Sequence, residues 1–512
     1  MLKILLVYPQ YPETFWSFKH ALSFIRKKAM IPPLGLITIA SMLPDDFETK
    51  LIDLNIEPLK DEDILWADFV FISAMITQKD SVHKIADKCK ELNVKTVAGG
   101  PLFIDLHTEF PDIDYFVLDE GEITLPVFLE DLKNNNLQRY YRSDEKPDIK
   151  KSPIPKWELI NQKAYGHMPV QYSRGCPYDC EFCGVVRLNG RIPRTKSPEQ
   201  VIRELDSLYN AGWNGPVFFV DDNFIGNKNE TKNFLKTLAQ WRNSKKIKMT
   251  FNTEVSLNVA DDEELMWLLR EAGFNSLFIG LETPSEESLK ECGKFQNKNR
   301  NVKDSLFTLY RNGFQVSAGF IVGFDNDDAT IFKRQIEFIQ NTGVVVAMVG
   351  LLNALPGTRL YERLEKENRL LSHSSGNNTD FSINFIPKIN TDVLFEGYKE
   401  ILKAVYNGKE YYDRVLTFIK HYNKQINESI CWEHFYALFK SIICMGILDE
   451  TRFYYWKSFF ISLFKYPHAF TRFIATSVYY AHFKRVFVDN EKKNFTTTNG
   501  LNVGGLRKFL RS

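Results

Sequence analysis

The sequence has few cysteines, no excess of charge of either sign and no long apolar run. Its seven cysteines are an odd number in 512 residues and do not suggest a disulfide framework. Lysine plus arginine (65) balances aspartate plus glutamate (64), so no overall field attracts nucleic acid. No apolar stretch reaches the roughly 18 to 20 residues of a membrane-spanning helix, and the start MLKILLVYPQ lacks the apolar core of a signal peptide. These absences predict a cytoplasmic protein without a nucleic-acid partner.

The first part of the chain alternates short β-type runs with helical patterns. The strand candidates are KILLVYP, TKLIDLN, DFVFISAM, KTVAGGP and YFVLDEGE. This alternation predicts a doubly wound α/β domain with a parallel sheet over residues 1–135. Ligands of such sheets bind beyond the carboxyl ends of the strands, where this sequence carries Ser73, Gly99, Gly100, Pro101, Gly121 and Glu122. The charged, proline-containing stretch 136–165 has no sustained period and is predicted to be a linker.

A second alternating series follows the linker. Its strand candidates are MPVQYSR, PVFFVDDN, MTFNTEV, SLFIGLE, VSAGFIVGF and VVVAMVGLL. Six such units over residues 166–355 predict a partial (β/α)6 barrel with its chemistry at the carboxyl ends of the strands. Residues 356–490 show long helical patterns rich in aromatics and are predicted to form a helical C-terminal domain. Residues 491–512 are polar and are expected to form a mobile tail.

Three of the cysteines, Cys176, Cys180 and Cys183, stand within QYSRGCPYDCEFCGVV at the spacing C-x3-C-x2-C. Thiolates at short spacing bind zinc or iron–sulfur clusters. A structural zinc site needs four ligands, and the sequence offers no second cysteine pair and no nearby His, so zinc is the weaker interpretation. Three thiolates suit a 4Fe-4S cluster that leaves one iron open for a substrate or cofactor.

This motif, in a loop after the first strand of a partial barrel, resembles the signature of the radical S-adenosylmethionine (SAM) enzymes. The resemblance implies that the three cysteines hold a 4Fe-4S cluster whose open iron is chelated by SAM. It also implies that one electron, from a donor such as ferredoxin or flavodoxin, lets the cluster cleave SAM to a 5′-deoxyadenosyl radical. The SAM-binding residues implied in this way are Phe182, Asp221, Asp222, Glu254, Ser256, Glu282 and Gly323. Loop packing, helix capping and turn formation are structural alternatives for several of them.

The N-terminal elements PPLGLITIASMLP, FISAM, AGGP and DEGE are similar to those of the cobalamin-binding radical SAM enzymes. The similarity implies a Rossmann-like domain that binds cobalamin through the six strand-end residues given above. The sequence lacks the Asp-x-His-x-x-Gly motif that places a His under cobalt, because DLHTEF at 105–110 has Phe110 where the motif has glycine. We therefore expect cobalt without an axial His, with a domain that has lost its ligand as the alternative.

Longer segments, among them YPETFWSFKHALSFIRKKAMIPPLG and GLETPSEESLKECGK, resemble the subgroup that includes hopanoid C-methylases and archaeal lipid-cyclising enzymes. The resemblance implies a C-methyltransferase acting on an unactivated carbon of a lipid-like or other apolar metabolite. One alternative is a cyclising or carbon–carbon bond-forming enzyme without net methyl transfer, and another is a non-catalytic cobalamin sensor. The C-terminal helices interleave aromatics with Lys and Arg, a pattern typical of a packed cap over the barrel or, alternatively, of a membrane-contacting face.

Overall fold

The computed structural model describes residues 1–424 and 432–489, so the predicted tail at 491–512 lies outside the described residues. The N-terminal strands are β1 (Lys3–Tyr8), β2 (Glu48–Asp53), β3 (Phe69–Ser73), β4 (Lys95–Gly99), β5 (Tyr115–Val117) and β6 (Tyr140–Tyr141). The helices are α1 (Lys19–Leu22), α2 (Leu34–Ala40), α3 (Asp61–Trp66), α4 (Lys79–Glu91), α5 (Pro101–Leu106) and α6 (Gly121–Lys133). The strands form one parallel sheet in the order β2-β1-β3-β4-β5-β6.

Both faces of this sheet are covered, as a parallel sheet requires. In β1, Ile4 and Leu6 join the core on one face while Leu5 and Val7 join the core on the other. The sheet has one strand more than the sequence analysis predicts, since β6 lies within the stretch interpreted as a linker. Two residues are too few to show a period, so β6 becomes visible only through its pairing with β5.

The central region is the predicted partial barrel. Its strands are β7 (Met168–Val170), β8 (Ser173–Arg174), β9 (Arg194–Thr195), β10 (Val217–Phe219), β11 (Phe251–Glu254), β12 (Phe274–Glu282), β13 (Gln315–Val322) and β14 (Val346–Leu351). Its helices are α7 (Val185–Asn189), α8 (Pro198–Asn210), α9 (Lys228–Ser244), α10 (Glu263–Ala272), α11 (Glu286–Glu291), α12 (Val302–Arg311), α13 (Ile331–Thr342) and α14 (Arg359–Lys366). Six strands form a parallel sheet in the order β14-β13-β12-β11-β10-β7, and β8 pairs with β9 in a small antiparallel ribbon.

The inner face of the barrel is not fully packed. Alternate residues of the central strands are buried, while their neighbours, which point to the other face, keep partial solvent exposure. The partly exposed set comprises Asn252, Glu254, Ser276, Phe278, Gly280, Ser317, Gly319 and Ile321. Because side chains of a strand alternate between faces, this pattern marks a lumen with room for a ligand.

The C-terminal region is helical, with α15 (Thr391–Tyr406), α16 (Gly408–His421), α17 (Trp432–Ser441), α18 (Arg452–Lys465) and α19 (Phe470–Phe483). Helix α15 covers the edge strand β14. The hydroxyl of Tyr406 donates to the Ala347 carbonyl (2.7 Å) and that of Tyr398 to the Val349 carbonyl (3.0 Å). These bonds satisfy carbonyl groups that a bare edge strand leaves unpaired.

The segment 9–33, between β1 and α2, connects the N-terminal domain to the C-terminal helices. Phe15 packs on Phe487 with ring centroids 4.6 Å apart, and Phe18 stacks on His482. Trp16, between these two phenylalanines, contacts the barrel instead, with its ring centroid 4.9 Å from that of Phe278 in β12. The N-terminal domain therefore contributes a side chain to the barrel lumen.

Candidate active site

The three cysteines of the motif lie in the loop after β8, at the mouth of the barrel. Cys180 is buried, Cys176 and Cys183 are partly buried, and all three are free thiols. Burial raises the pKa of each thiol, to about 12 for Cys183. The backbone N–H groups of Tyr178 and Val185 donate to the sulfurs of Cys176 and Cys183, a type of contact that tunes the potential of a bound cluster.

The cysteines are not gathered around a single ion. Within residues 1–424 and 432–489, no three His, Cys, Asp or Glu side chains converge closely enough to hold one metal ion. In a 4Fe-4S cluster each thiolate binds a different iron, so the ligands stand farther apart than in a mononuclear site.

Lys294 provides a positive charge next to all three cysteines. Its Nζ lies 2.8 Å from Glu282 Oε1, and its charge acts on each thiol. Burial by itself lowers the pKa of Lys294, but Glu282 and the cysteines outweigh it and raise the pKa. Glu282 follows a bulge in β12 and has a φ of 66°, a left-handed conformation that costs about 1–3 kcal/mol for a non-glycine residue. The motif spacing does not reveal this lysine.

Asp221 and Asp222, predicted to meet SAM, hold the backbone of the cysteine loop. Asp221 accepts hydrogen bonds from the N–H groups of Tyr172 and Ser173, and Asp222 accepts one from Gly175 (2.8 Å). Burial raises the pKa of Asp221 to about 7. Gly175 has a φ of 97°, and a Cβ there would come within 2.9 Å of the Gly190 carbonyl oxygen, so only glycine fits. The part of Asp221 and Asp222 in SAM binding stays a prediction.

A chain of polar side chains links Cys176 to the end of β11. The Asn223 amide lies 3.8 Å from Cys176 Sγ and 3.4 Å from Ser256 Oγ. Ser256 donates to Asn258 (2.7 Å), whose amide donates to the Tyr178 hydroxyl (3.0 Å). Ser256 is thus placed beside the cysteine loop, as predicted for a SAM-binding residue, but within a network that the sequence does not show.

Glu254 projects into the lumen from the end of β11. Burial, with no hydrogen bond to offset it, raises its pKa to about 8, and the charge of Asp222 acts in the same direction. Phe182, in the cysteine loop, packs edge-on against Phe324, with ring centroids 6.2 Å apart. Gly323, next to Phe324, has a φ of 104° and donates its N–H to Asp327 (2.9 Å). These residues surround an opening that has both polar and aromatic walls.

The cysteine loop is also clamped from outside by α14. Arg363 forms ion pairs with Glu181 (2.6 Å) and Asp325 (2.8 Å), and Asp325 pairs with Arg369 (2.6 Å). Because Glu181 stands between Cys180 and Phe182, this clamp fixes the central part of the cysteine loop against the loop that follows β13.

The carboxyl edge of the N-terminal sheet is built mainly from small residues. Ser73 and Gly99 are paired across β3 and β4. Gly100 has a φ of 91°, and a Cβ there would lie 2.7 Å from Ser73 Oγ. A Cβ on Gly99 would lie 2.7 Å from the Val117 carbonyl oxygen, and one on Gly121 would meet the Ile39 side chain at 2.6 Å. These glycines therefore have packing reasons of their own, and their contact with cobalamin stays a prediction.

Glu122 joins the two α/β domains. Arg174, two residues before Cys176, pairs with Glu122 (2.7 Å) and Glu120 (2.7 Å), and Arg194 pairs with Glu120 (2.7 Å). Burial alone raises the pKa of Glu122, but Arg174 outweighs it and lowers the pKa to about 2. The Glu122 carboxylate is therefore already engaged in an ion pair with the Arg174 guanidinium group.

Comparisons with known proteins cover nearly the whole chain. Family models match at residues 26–129 (B12 binding domain), 170–339 (Radical SAM superfamily) and 358–494 (a domain of unknown function, DUF4070). An uncharacterized methyltransferase of Synechocystis sp. is 39% identical over 489 residues, covering 94% of this chain and 91% of that protein. The hopanoid C-2 methylase of Rhodopseudomonas palustris is 32% identical over 429 residues, covering 83% of this chain and 79% of that protein.

The chain belongs to the cobalamin-dependent radical SAM enzymes. It falls in their methyltransferase family, and its cofactors are a 4Fe-4S cluster, SAM and cobalamin. Two solved structures share the fold. They are the cobalamin-dependent SAM radical enzyme OxsB (TM-score 0.61, 15% identity, 100% of this chain and 83% of that chain) and the radical SAM methyltransferase TsrM of Kitasatospora setae (TM-score 0.58, 15% identity, 75% and 82%).

The residues of this radical SAM enzyme fit the three groups. Three thiols without disulfide partners are available as cluster ligands, and the ammonium group of Lys294 beside them favours their thiolate form. The lumen holds the carboxyl group of Glu254, whose pKa is raised by burial and which is placed to form a hydrogen bond with a polar ligand. At the cobalamin edge, glycine and serine allow a bulky ring to approach the backbone closely.

Lys294, Arg174 and Trp16 were not among the predicted site residues, and Asn223 was noted only as part of the polar run that follows β10. Two signals were available. Lys294 closes the segment GLETPSEESLKECGK, and Asn223 continues the polar run after β10. The other two become visible only when the domains are brought together.

Proposed function

We propose that this enzyme transfers a methyl group to an unactivated carbon of a lipid-like or other apolar metabolite. When bound, the cluster and SAM supply a 5′-deoxyadenosyl radical, and cobalamin supplies the methyl group. A one-electron donor such as ferredoxin or flavodoxin supports the reaction. The protein itself binds these groups, orients the substrate between them and keeps water out.

The contact between Trp16 and Phe278 carries the proposal. Trp16 lies between β1 and α2, shortly before the matched B12-binding region, and Phe278 belongs to the matched barrel, so their rings meet where the two domains join. Trp16 is 44% exposed although it lies inside this junction. Gly319, whose Cβ would lie 3.3 Å from the Phe278 ring, leaves space on the neighbouring strand. An aromatic, partly open wall of this kind suits a bulky apolar substrate.

A second loop helps to cover the junction. Thr379 donates to the Glu13 carbonyl oxygen (3.3 Å), and a Cβ on Gly376 would lie 2.9 Å from the Ile76 side chain. The loop around these residues therefore spans from the barrel to the N-terminal domain. Such a cover keeps solvent and dissolved oxidants, which would otherwise quench a carbon radical, away from the junction.

The site residues divide by role in this proposal. Cys176, Cys180 and Cys183 hold the cluster. The lumen residues that contact SAM are Phe182, Glu254, Ser256, Glu282 and Gly323. Asp221 and Asp222 position the cysteine loop. The residues that contact cobalamin are Ser73, Gly99, Gly100, Pro101 and Gly121.

The relatives support methyl transfer and a lipid. One is described as an uncharacterized methyltransferase and the other as a hopanoid C-2 methylase. The latter acts on a polycyclic lipid, the kind of substrate that an aromatic wall accommodates.

The test uses anaerobically reconstituted enzyme, SAM labelled in its methyl group, and lipid extracts as substrate. We expect label in an apolar product, and at least a tenfold smaller product-to-5′-deoxyadenosine ratio for Trp16→Ala. A product that forms without label would show cyclisation or another carbon–carbon bond formation instead of methylation. Product from a water-soluble extract alone would contradict the apolar substrate.

We also propose that the C-terminal helices contact a membrane surface that presents the substrate. No helix in the described ranges 1–424 and 432–489 is long and apolar enough to cross a membrane. The exposed apolar residues on α17, α18 and the helical segment Ile442–Leu448 between them are Trp432, Phe435, Phe439, Ile447, Leu448, Phe453, Phe460 and Phe464. On α18 the exposed residues 453, 457, 460 and 464 form one stripe, with Lys457 among the aromatics. Aromatic rings and lysines on one face suit the interface of an anionic bilayer.

Sedimentation with phosphatidylglycerol vesicles tests this contact. We expect the wild type to bind phosphatidylglycerol vesicles and to bind phosphatidylcholine vesicles more weakly. The double variant Phe453→Ser/Phe464→Ser should lose this binding. Trp267→Ser, which removes a 49% exposed aromatic from α10, is the matched control and should bind like the wild type. Equal binding by all variants would contradict the proposal.

A further inference from the structure

Two exposed apolar side chains lie on the outer side of the cysteine loop. Ile192 is 80% exposed and Phe295 is 64% exposed. Their loops flank Asp179, which stands between Cys176 and Cys180. Arg191 lies 3.9 Å from the Asp179 carboxylate, and a Cβ on Gly293 would lie 3.0 Å from the Asp179 carbonyl oxygen.

Both loops contact the backbone or the sulfur of a cluster cysteine from outside. The Cys176 N–H donates to the Gly190 carbonyl (3.2 Å), two residues before Ile192. Gln296, next to Phe295, makes a side-chain hydrogen bond to Cys180. An electron that enters at either apolar residue therefore has only one or two residues to cross before it reaches a cluster ligand.

Three arginines lie near the same loops: Arg191 and Arg359 pair with Asp179, and Arg187 pairs with Asp105. The side chains of Arg187, Arg191 and Arg359 are 36%, 59% and 55% exposed. Their acidic partners are more buried, with Asp105 at 27% and Asp179 at 31%. Solvent therefore meets mainly guanidinium groups. We call the surface formed by Arg187, Arg191, Ile192, Phe295 and Arg359 the cluster-side face.

We propose that the cluster-side face docks an acidic one-electron carrier protein, and this proposal rests on the proposed radical SAM function. The reduced carrier loses one electron, and the cluster takes it up and passes from its 2+ to its 1+ state. Small, transient interfaces below about 1,200 Å² are typical of electron-transfer partners. A cationic rim speeds the encounter with an acidic partner and makes it sensitive to salt.

The chemistry of the face favours a carrier over a membrane. Only two apolar side chains project, and they are separated by the Asp179 carboxylate, whereas the α17 and α18 face presents eight large apolar side chains. A bilayer interface gains from contiguous apolar area. A small apolar centre with a charged rim is instead the usual plan of a protein interface.

The experiment measures binding and reduction separately on the reconstituted holoenzyme. The probes are a purified acidic flavodoxin and a purified acidic ferredoxin, titrated at low and high salt. The variants are Arg191→Glu/Ile192→Asp and, from the other loop, Phe295→Asp. We expect each variant to raise the Kd of at least one carrier about tenfold and to slow carrier-driven cluster reduction by a similar factor. Reduction by dithionite, a small ion that needs no docking, should be unchanged.

Two matched controls sit far from the face. Lys333→Glu reverses a charge that is 83% exposed, and Trp267→Asp replaces an apolar residue that is 49% exposed. Both should behave as the wild type. Carrier binding that neither variant changes, or an equal loss of dithionite-driven reduction, would overturn the proposal. Intact carrier-driven SAM cleavage without methylated product would contradict the proposed function and leave the docking face in place.

Discussion

The two cofactor regions of this molecule are built by different means. At the mouth of the barrel, side chains with ligand chemistry gather around the cysteine loop, as Lys294 and Glu254 do. At the edge of the N-terminal sheet, the residues are small, and Gly99 and Gly100 are required by contacts within the sheet itself. We propose that the first region binds its cofactors through side chains and that the second binds through its shape and backbone. The predictions below test this contrast, from the largest expected effect to the smallest.

Cys183→Ala should abolish cluster binding and SAM cleavage. Mutation of a residue that only hydrogen-bonds to a metal ligand typically lowers metal affinity or activity 10- to 100-fold, and loss of a direct ligand should have a larger effect. Iron and sulfide content and 5′-deoxyadenosine formation measure it. The control is Cys292→Ala, because Cys292 is 1% exposed and lies beside the same loop. Iron loss in that control would mean that a fourth thiolate takes part.

Lys294→Met should destabilise the fold by about 3–5 kcal/mol, because it leaves the Glu282 carboxylate buried and unpaired. It should also make the cluster harder to reduce, since a positive charge next to all three cysteines is lost. Denaturant unfolding and a redox titration measure the two effects. Lys196→Met is the matched control, since Lys196 pairs with buried Glu204 at 2.6 Å in the same barrel. Lys196→Met should lose a similar amount of stability without changing the reduction potential of the cluster. A shift of the potential as large as that of Lys294→Met would contradict the role of Lys294.

The strand patterns and the cysteine motif could be predicted from the sequence. Side-chain partners that lie in another domain could not. All six strands of the barrel sheet and five of the six N-terminal strands match apolar runs in the sequence, because burial of at least one face imposes them. The short strand β6 carries no such signal. The fold class is confirmed, and so is membership of the cobalamin-binding radical SAM enzymes.

At the site, the cysteine spacing predicted the cluster because three thiols in one loop are rare and chemically specific. The roles of Asp221 and Glu122 could not be inferred in this way. Each carboxylate is engaged by a group that is distant in sequence, the Ser173 N–H or the Arg174 guanidinium. A polar residue at a strand end shows that a partner exists, and only the fold shows whether that partner is a cofactor or the protein itself.

Glu122→Gln should cost up to about 3 kcal/mol at pH 7, the equivalent of lowering a glutamate pKa from its ordinary value to about 2. Because the folded-state pKa is depressed, this stability is fully present above about pH 4.5 and is lost as pH falls toward 2. The difference between wild type and variant should therefore shrink over that window in denaturant unfolding. The exposed Glu264→Gln control should show a much smaller difference at every pH. Cobalamin affinity should change little, since Arg174 already occupies the carboxylate.

Gly100→Ala tests whether position 100 needs glycine for packing within the N-terminal domain or for binding cobalamin. Gly100 and Gly212 both have a positive φ, 91° and 99°, but a Cβ collides with Ser73 Oγ only at Gly100 and meets nothing within 4 Å at Gly212. Both alanine variants should lose about 1 kcal/mol from backbone strain, and Gly100→Ala should lose about 1–2 kcal/mol more from the collision. Adding Ser73→Ala should recover part of the extra loss in denaturant unfolding. If Gly100→Ala is as stable as Gly212→Ala but no longer retains cobalamin, the glycine serves the cofactor, and the N-terminal edge is a dedicated binding surface like the barrel mouth.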